Sequence, residues 1–141
     1  MWIAVPLLVV PWLLYNIVVL TGLMGGDPSL GADPSLRQAV FSLPMTSGVR
    51  WNVGVGDMIL FLGLIFLFFE LLKSTSSQKV AIVNHALSMI LFVVCLVQFL
   101  LIPTFATSTF FLITVMVMLD VLAGFIVTII AARKDLDFSG A

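Results

Sequence analysis

Asp120 lies near the middle of an apolar run, residues 110–132, that contains no other acidic residue and no Lys or Arg. The run is long enough to cross a bilayer, where an ionised side chain is costly and needs a partner or a function. A protonated carboxyl group bonded to neighbouring helices would hold one helix arrangement, whereas a titrating one would resemble the carboxylate of a proton-coupled carrier. Asp120 is therefore the first candidate for intramembrane chemistry.

The expected neighbours of Asp120 follow from depth, because a helix rises by about 1.5 Å per residue. Counted from the predicted cytoplasmic ends of the helices, Ser88 lies just below Asp120, and Tyr15 and Asn16 lie just above it. These groups are neutral and no cation is expected at that depth, so the protonated carboxyl form is favoured. Asp120 is accordingly predicted to hydrogen-bond Asn16 or Ser88.

Glu70 and His85 form a second candidate group, on either side of a short predicted turn. His85 is the only histidine, and paired with Glu70 it would act as a proton relay on the cytoplasmic side of the membrane. The alternative is that Glu70 extends to the membrane surface near Lys73 or Lys79. Both interpretations remain open from the sequence.

Helical periodicity places these residues on inward faces. The third apolar segment carries a polar stripe of Asn84, His85, Ser88, Cys95 and Gln98. The second repeats small or acidic residues every seven positions, at Gly56, Gly63 and Glu70, and the fourth places Asp120, Gly124 and Thr128 on one face. Gly56, Gly63 and Gly124 are therefore predicted to be helix-packing positions, where a neighbouring backbone can approach closely.

Enzymatic chemistry is not expected. No Ser-His-Asp or metal-binding constellation is recognisable, and an intramolecular disulfide is excluded because Cys95 is the only cysteine. An intramembrane aspartate pair of Asp57 and Asp120 is disfavoured, because the two residues differ by about 6 Å in depth before any lateral distance is added. No catalytic residue, no metal site and no cofactor are predicted.

The elements that position these residues are membrane helices. Hydrophobic residues make up 62% of the 141 residues, charged residues make up 9% and the mean hydropathy is +1.27, far from the averages of soluble proteins. A chain of this length has room for a single domain, here a membrane domain of residues 1–141. The net charge of −1 and the scattered basic residues argue against nucleic acid as a partner.

Four apolar segments are each long enough to cross the bilayer, and they cover approximately residues 2–20, 53–72, 80–102 and 110–132. The two short connections among the last three favour antiparallel neighbours. The sequence therefore predicts an all-α, polytopic integral membrane protein built as a four-helix up-down bundle.

Basic residues near the segment ends give the orientation. One side would carry Lys73, Lys79, Arg133 and Lys134, and the other only Arg37 and Arg50. Both termini, including a tail of residues 133–141, are therefore predicted to be cytoplasmic. The membrane would be the inner membrane if the source is bacterial.

The non-cytoplasmic loop, residues 21–52, contains a tandem repeat at residues 27–30 and 33–36. In each copy an Asp precedes a Pro, which is typical of a helix start. The second copy predicts a short interfacial helix over approximately residues 34–42, resting on the bilayer through Leu36, Val40 and Phe41. Trp51 is expected to anchor the return to the membrane.

These observations favour a non-catalytic accessory or scaffold protein that packs against other membrane helices or associates with itself. Its expected partners are the lipid bilayer and either a membrane protein or a second copy. The alternative is a small oligomeric proton-coupled transporter or ion pathway that uses Asp120 with Glu70 and His85.

Overall fold

The computed structural model describes residues 5–22, 32–73 and 78–139, without the side chains of residues 78–80, 131 and 134–139. The first copy of the tandem repeat, residues 27–30, lies outside this part of the chain. The described elements are α1 (Val9–Thr21), α2 (Asp33–Arg37), β1 (Ala39–Pro44), β2 (Arg50–Gly54), α3 (Val55–Lys73), α4 (Gln78–Leu101), a 3₁₀ turn (Pro103–Phe105) and α5 (Ser108–Ser139).

Three helices are long and apolar enough to cross a membrane, which is typical of a polytopic membrane protein. Their apolar spans are Val55–Lys73 in α3, Ala81–Leu101 in α4 and Ser108–Ile130 in α5. These bounds lie within two residues of the predictions, because each apolar run is bounded by polar residues, Gly or Pro. A compact 3₁₀ turn joins α4 to α5, as expected for antiparallel neighbours.

The first helix is shorter than predicted. It begins at Val9 rather than near residue 2 and contains 13 residues, which is about 20 Å of helix. Pro6 precedes it in a turn in which its carbonyl accepts a hydrogen bond from the Val9 amide at 3.2 Å. Pro11 falls in the first turn of α1, where a backbone amide would have no partner within the helix, so the amide that proline lacks is not missed there. Gly22, at a φ of 60°, ends the helix in the left-handed conformation.

The last helix is longer than predicted, because α5 continues to Ser139 instead of giving way to a tail at residue 133. Its 32 residues extend about 48 Å, well beyond the roughly 30 Å of a hydrocarbon core. The apolar run stops at Ala132, but the following Arg, Lys and Leu are good helix formers. Loss of hydrophobicity therefore marks the end of the apolar span and not the end of the helix.

The all-α prediction is wrong in the loop, because the interfacial helix stops at Arg37 and a β-hairpin follows. β1 pairs antiparallel with β2, and their register sets Phe41 opposite Val53 and Leu43 opposite Trp51. The connecting turn contains Gly48 at a φ of 84°, a conformation that glycine adopts at low cost. Two short alternating segments on either side of a turn were the signal for this hairpin in the sequence.

The helices surround a core to which each long helix contributes, with α5 packed against both α3 and α4. α1 packs against α3 and α5. At the end of the bundle where α5 begins, three aromatic rings form a cluster: Tyr15 lies 5.6 Å from Phe105 and 4.8 Å from Phe110 between ring centroids. We call this the Thr107 end and the opposite end of the bundle the Lys73 end.

Candidate functional site

Glu70 is the centre of a buried polar cluster at the Lys73 end. Its side chain is completely buried, and Oε2 accepts a hydrogen bond of 2.7 Å from the backbone amide of Leu7. Oε1 accepts a hydrogen bond from the side-chain amide of Asn84 and lies 3.4 Å from Nζ of Lys73. One carboxylate therefore joins the segment before α1 to α3 and α4.

Lys73 completes this cluster. Its ammonium group donates hydrogen bonds to the carbonyl of Val5 at 2.7 Å and to Oδ1 of Asn84 at 2.9 Å. A buried ion pair is tolerated when further hydrogen bonds satisfy both of its charges, and both are satisfied here. The sequence suggested Lys73 as a surface group that Glu70 might approach, and the two do meet, but inside the protein.

His85 packs on Gly124 of α5. A Cβ placed on Gly124 would lie 3.0 Å from Cγ of the imidazole ring, so glycine at this position makes room for the ring. Nδ1 of His85 is buried and has no hydrogen-bond partner. A cation that contacts Glu70 is Lys73, three residues along the same helix, and the imidazole ring of His85 packs against α5.

Asp120 lies beside His85 and Ser88, between α4 and α5. Asp120 and Ser88 are 3% and 1% exposed, and the Ser88 hydroxyl interacts with the Asp120 carboxyl group as predicted, although neither Oδ2 of Asp120 nor Oγ of Ser88 makes a hydrogen bond of normal geometry. A cavity of about 20 Å³, lined in part by His85, Asp120 and Thr128, lies between the two helices. That volume is enough for about one water molecule.

The predicted surroundings of Asp120 are wrong in two respects. Glu70, His85 and Lys73 all lie close enough to interact electrostatically with Asp120, although only neutral groups were expected near it. Asn16 is engaged elsewhere: its Oδ1 accepts a hydrogen bond of 2.9 Å from Gln98, and its amide donates to the carbonyl of Trp12 at 2.8 Å. Asn16 is thus level with Gln98, which lies about 15 Å beyond Ser88 along α4 toward the Thr107 end.

Gln98 links α4 to α1 through two hydrogen bonds, a role that the sequence did not predict. Its Oε1 accepts a hydrogen bond of 2.7 Å from the indole of Trp12, and its amide donates to Asn16. Close by, the hydroxyl groups of Tyr15 and Thr107 lie 2.6 Å apart. Counted along the predicted helices, Asn16 and Gln98 both lie farther from the cytoplasmic ends than Asp120, and this was the available signal for their pairing.

Asp57 has a local structural role at the start of α3. Its Oδ2 accepts a hydrogen bond of 2.9 Å from the backbone amide of Gly54, which satisfies an amide at the helix N-terminus as a capping box does. Asp57 also lines an open groove of about 380 Å³ beside the ion pair of Asp33 and Arg37. Asp57 is thus at the Thr107 end, far from the cluster around Glu70.

Gly56 and Gly63 are packing positions within the chain itself. A Cβ on Gly56 would lie 2.7 Å from Oγ1 of Thr109, and one on Gly63 would lie 2.9 Å from Sδ of Met116. Both neighbours belong to α5. The glycines of α3 therefore admit α5, so the surface that they form is already occupied.

The described side chains bring no three His, Cys, Asp or Glu residues together in a group that could hold a metal ion. Comparison with protein-family models, with curated proteins and with solved structures found no match. The function must therefore be inferred from the geometry of the polar groups.

Proposed function

We propose that this protein is a non-catalytic accessory or scaffold component of the membrane, which acts by packing against other membrane helices or against a second copy. The main support is that the buried Glu70 and Asn84 and the partly exposed Lys73 bind one another. The cavity beside Asp120, about 20 Å³, is too small for an organic solute. These interior polar groups stabilise the fold, and the cavity beside them has no space for a substrate. A function of the outer surface is therefore favoured.

We further infer that the chain crosses the membrane four times, with both termini in the cytoplasm. The contacts of the first segment support this topology. The Leu7 amide meets Glu70 near the end of α3, whereas the Tyr15 hydroxyl meets Thr107 just before α5 begins. The segment that includes α1 therefore extends from one end of the bundle to the other, although its helix alone is short.

The outer face of α4 is the surface proposed for association. Only 22% of its apolar span is buried, compared with 28% in α3 and 33% in α5. The exposed side chains are aliphatic, including Ile82, Ile90, Val93 and Leu100. Helix association in lipid depends on close packing of such faces and on small or polar contacts. With the glycines of α3 already covered by α5, α4 is the helix with most of its surface available.

A photo-crosslinking amino acid at Ile90, on the outer face of α4, tests this assignment. In native membranes, irradiation should give a discrete crosslinked species whose mass distinguishes a dimer from a complex with another protein. Phe61, which is 67% exposed on α3, is the matched control position for random collisions in the bilayer. Lipid adducts alone at Ile90, or equal product yields at both positions, would contradict association through α4.

A proton pathway is the second candidate, and the polar groups between α4 and α5 favour it. Oδ2 of Asp120, Oγ of Ser88 and Nδ1 of His85 are all buried without a hydrogen bond of normal geometry. Intramembrane acids in proton-translocating proteins occur in such polar settings. A proton also needs no more space than the small cavity provides.

Purified protein in liposomes that contain a pH-sensitive dye separates the two candidates. If Asp120 carries protons, an imposed gradient should acidify wild-type vesicles faster than empty ones, and Asp120→Asn should reduce the rate to that of empty vesicles. Asp33→Asn makes the same acid-to-amide change outside the spans and should retain the wild-type rate. A wild-type rate equal to that of empty vesicles would eliminate the proton pathway and leave the association proposal standing.

A further inference from the structure

The β-hairpin has one apolar face and one polar face. Directly opposed residues of an antiparallel pair lie on the same side of a sheet, and successive residues alternate between sides. The register therefore places Phe41, Leu43, Trp51 and Val53 on one face. The other face carries Ser42 opposite Asn52 and Pro44 opposite Arg50.

Among the residues that the structure describes, the apolar face is covered only where the hairpin meets the helices. Val53, near the base, is 7% exposed, whereas Phe41 is 46%, Leu43 is 43% and Trp51 is 53% exposed. The turn adds Met45 and Val49, which are also exposed. A two-stranded hairpin is marginally stable alone in water, so three large side chains on one open face require another surface to cover them.

The position of the hairpin identifies that surface. β2 ends at Gly54 and α3 begins at Val55, the first residue of an apolar span. At about 3.3 Å per strand residue, Trp51 lies no more than about 13 Å along the chain from the start of this span. No linker separates the exposed aromatic face from the membrane.

The base of the hairpin contacts both α3 and α2. The Gly54 amide donates to Asp57, which joins the strand to the first turn of α3. A Cβ on Gly54 would lie 2.7 Å from the carbonyl oxygen of Leu36, so α2 packs directly on this junction. The hairpin therefore keeps a defined direction relative to the membrane span.

We propose that the apolar face of the hairpin rests in the headgroup region of the bilayer, so that the lipid surface is its occupant. Trp and other aromatic side chains are favoured at this depth because one part of the ring system is apolar and another is polar. The only charged residue between Ala39 and Gly54 is Arg50, and the register sets it on the opposite, polar face, so the apolar face carries no charge into the lipid. The hairpin thus provides the interfacial contact that the sequence predicted for a helix over residues 34–42, of which only the first part is helical. This inference does not depend on the proposed function.

Spin labels on adjacent residues of opposite faces test the proposal. Leu43→Cys and Ser42→Cys, each in a Cys95→Ala background, are labelled and reconstituted in vesicles of phosphatidylcholine and phosphatidylglycerol. Oxygen, which concentrates in lipid, should relax the label at position 43 several-fold more than a water-soluble nickel chelate does. The label at position 42 should show the reverse preference. Where a label at position 43 prevents folding, Phe41→Cys reports on the same face.

Two outcomes would overturn the proposal. Equal access of the nickel chelate to both labels would mean that the hairpin stands in water. Protection of position 43 from both reagents would mean that protein covers the face, and spin–spin broadening between labels would then identify a second copy as the cover. The accessibility readout needs neither proton flux nor a partner, so it is independent of the tests of the proposed function.

Discussion

Glu70→Leu should lower the free energy of unfolding by about 3–5 kcal/mol, the usual cost of removing one member of a buried ion pair. The substitution leaves the ammonium group of Lys73 without its carboxylate. It also removes the acceptor for the Leu7 amide and for the side-chain amide of Asn84. The measurement is unfolding by sodium dodecyl sulfate in mixed micelles, followed by circular dichroism.

The matched variants separate charge from hydrogen bonding. Glu70→Gln keeps an acceptor for the Leu7 amide and should fall between the wild type and Glu70→Leu. Glu70→Leu combined with Lys73→Met removes both charges and should recover part of the loss, because an apolar pair leaves no uncompensated ion. Phe69→Leu, at an exposed neighbouring position, is the control. If Glu70→Leu unfolds like this control, Glu70 does not hold the cluster together.

Tyr15→Ala should also destabilise the protein by about 3–5 kcal/mol, as expected for truncation of a large buried aromatic side chain. Tyr15 is completely buried and contacts the rings of Phe105 and Phe110. Its loss would open a cavity between α1 and the start of α5. Because α1 is held through Glu70 at one end and through this aromatic cluster at the other, we expect α1 to detach first.

Tyr15→Phe and Leu14→Ala complete this experiment, with detergent unfolding again as the measurement. Tyr15→Phe removes only the hydroxyl group that lies 2.6 Å from the Thr107 hydroxyl, and we expect a loss of about 1 kcal/mol. Leu14 is 36% exposed, so its truncation should cost less than that of Tyr15. A similar loss for Leu14→Ala and Tyr15→Ala would show that the aromatic cluster does not anchor α1.

Much of the candidate site was recognisable in the sequence. Glu70, His85 and Asp120 were chosen because polar groups in apolar runs are costly, and the structure does gather them at one end of the bundle. Their partners were harder to predict. Asp120 was expected beside Asn16, yet Asn16 binds Gln98, and the amide that binds Glu70 belongs to the backbone of Leu7, whose side chain carries no polar signal.

The hairpin shows a different limit. Its strands are short, and Val40, Phe41 and Leu43 fit an interfacial helix as well as an edge strand, because short apolar segments do not distinguish the two periods. β1 and β2 form their backbone hydrogen bonds with each other, whereas a helix forms them within a single segment. Whether this segment becomes strand or helix depends on contacts with a second segment about ten residues away.

The sequence alone determined the membrane class of the protein and the limits of its three long apolar spans within the described residues. Those features depend on local composition, because in lipid an apolar run must satisfy its backbone hydrogen bonds within itself. Only the tertiary structure decided which polar groups meet. Depth along a helix can be counted from the sequence at a constant rise, but the offset between helices and the side that each presents to its neighbours come from packing across the whole bundle. For this reason Asp120 was recognised from its helix alone and Ser88 was expected beside it, whereas its proximity to His85 and Lys73 was not predicted.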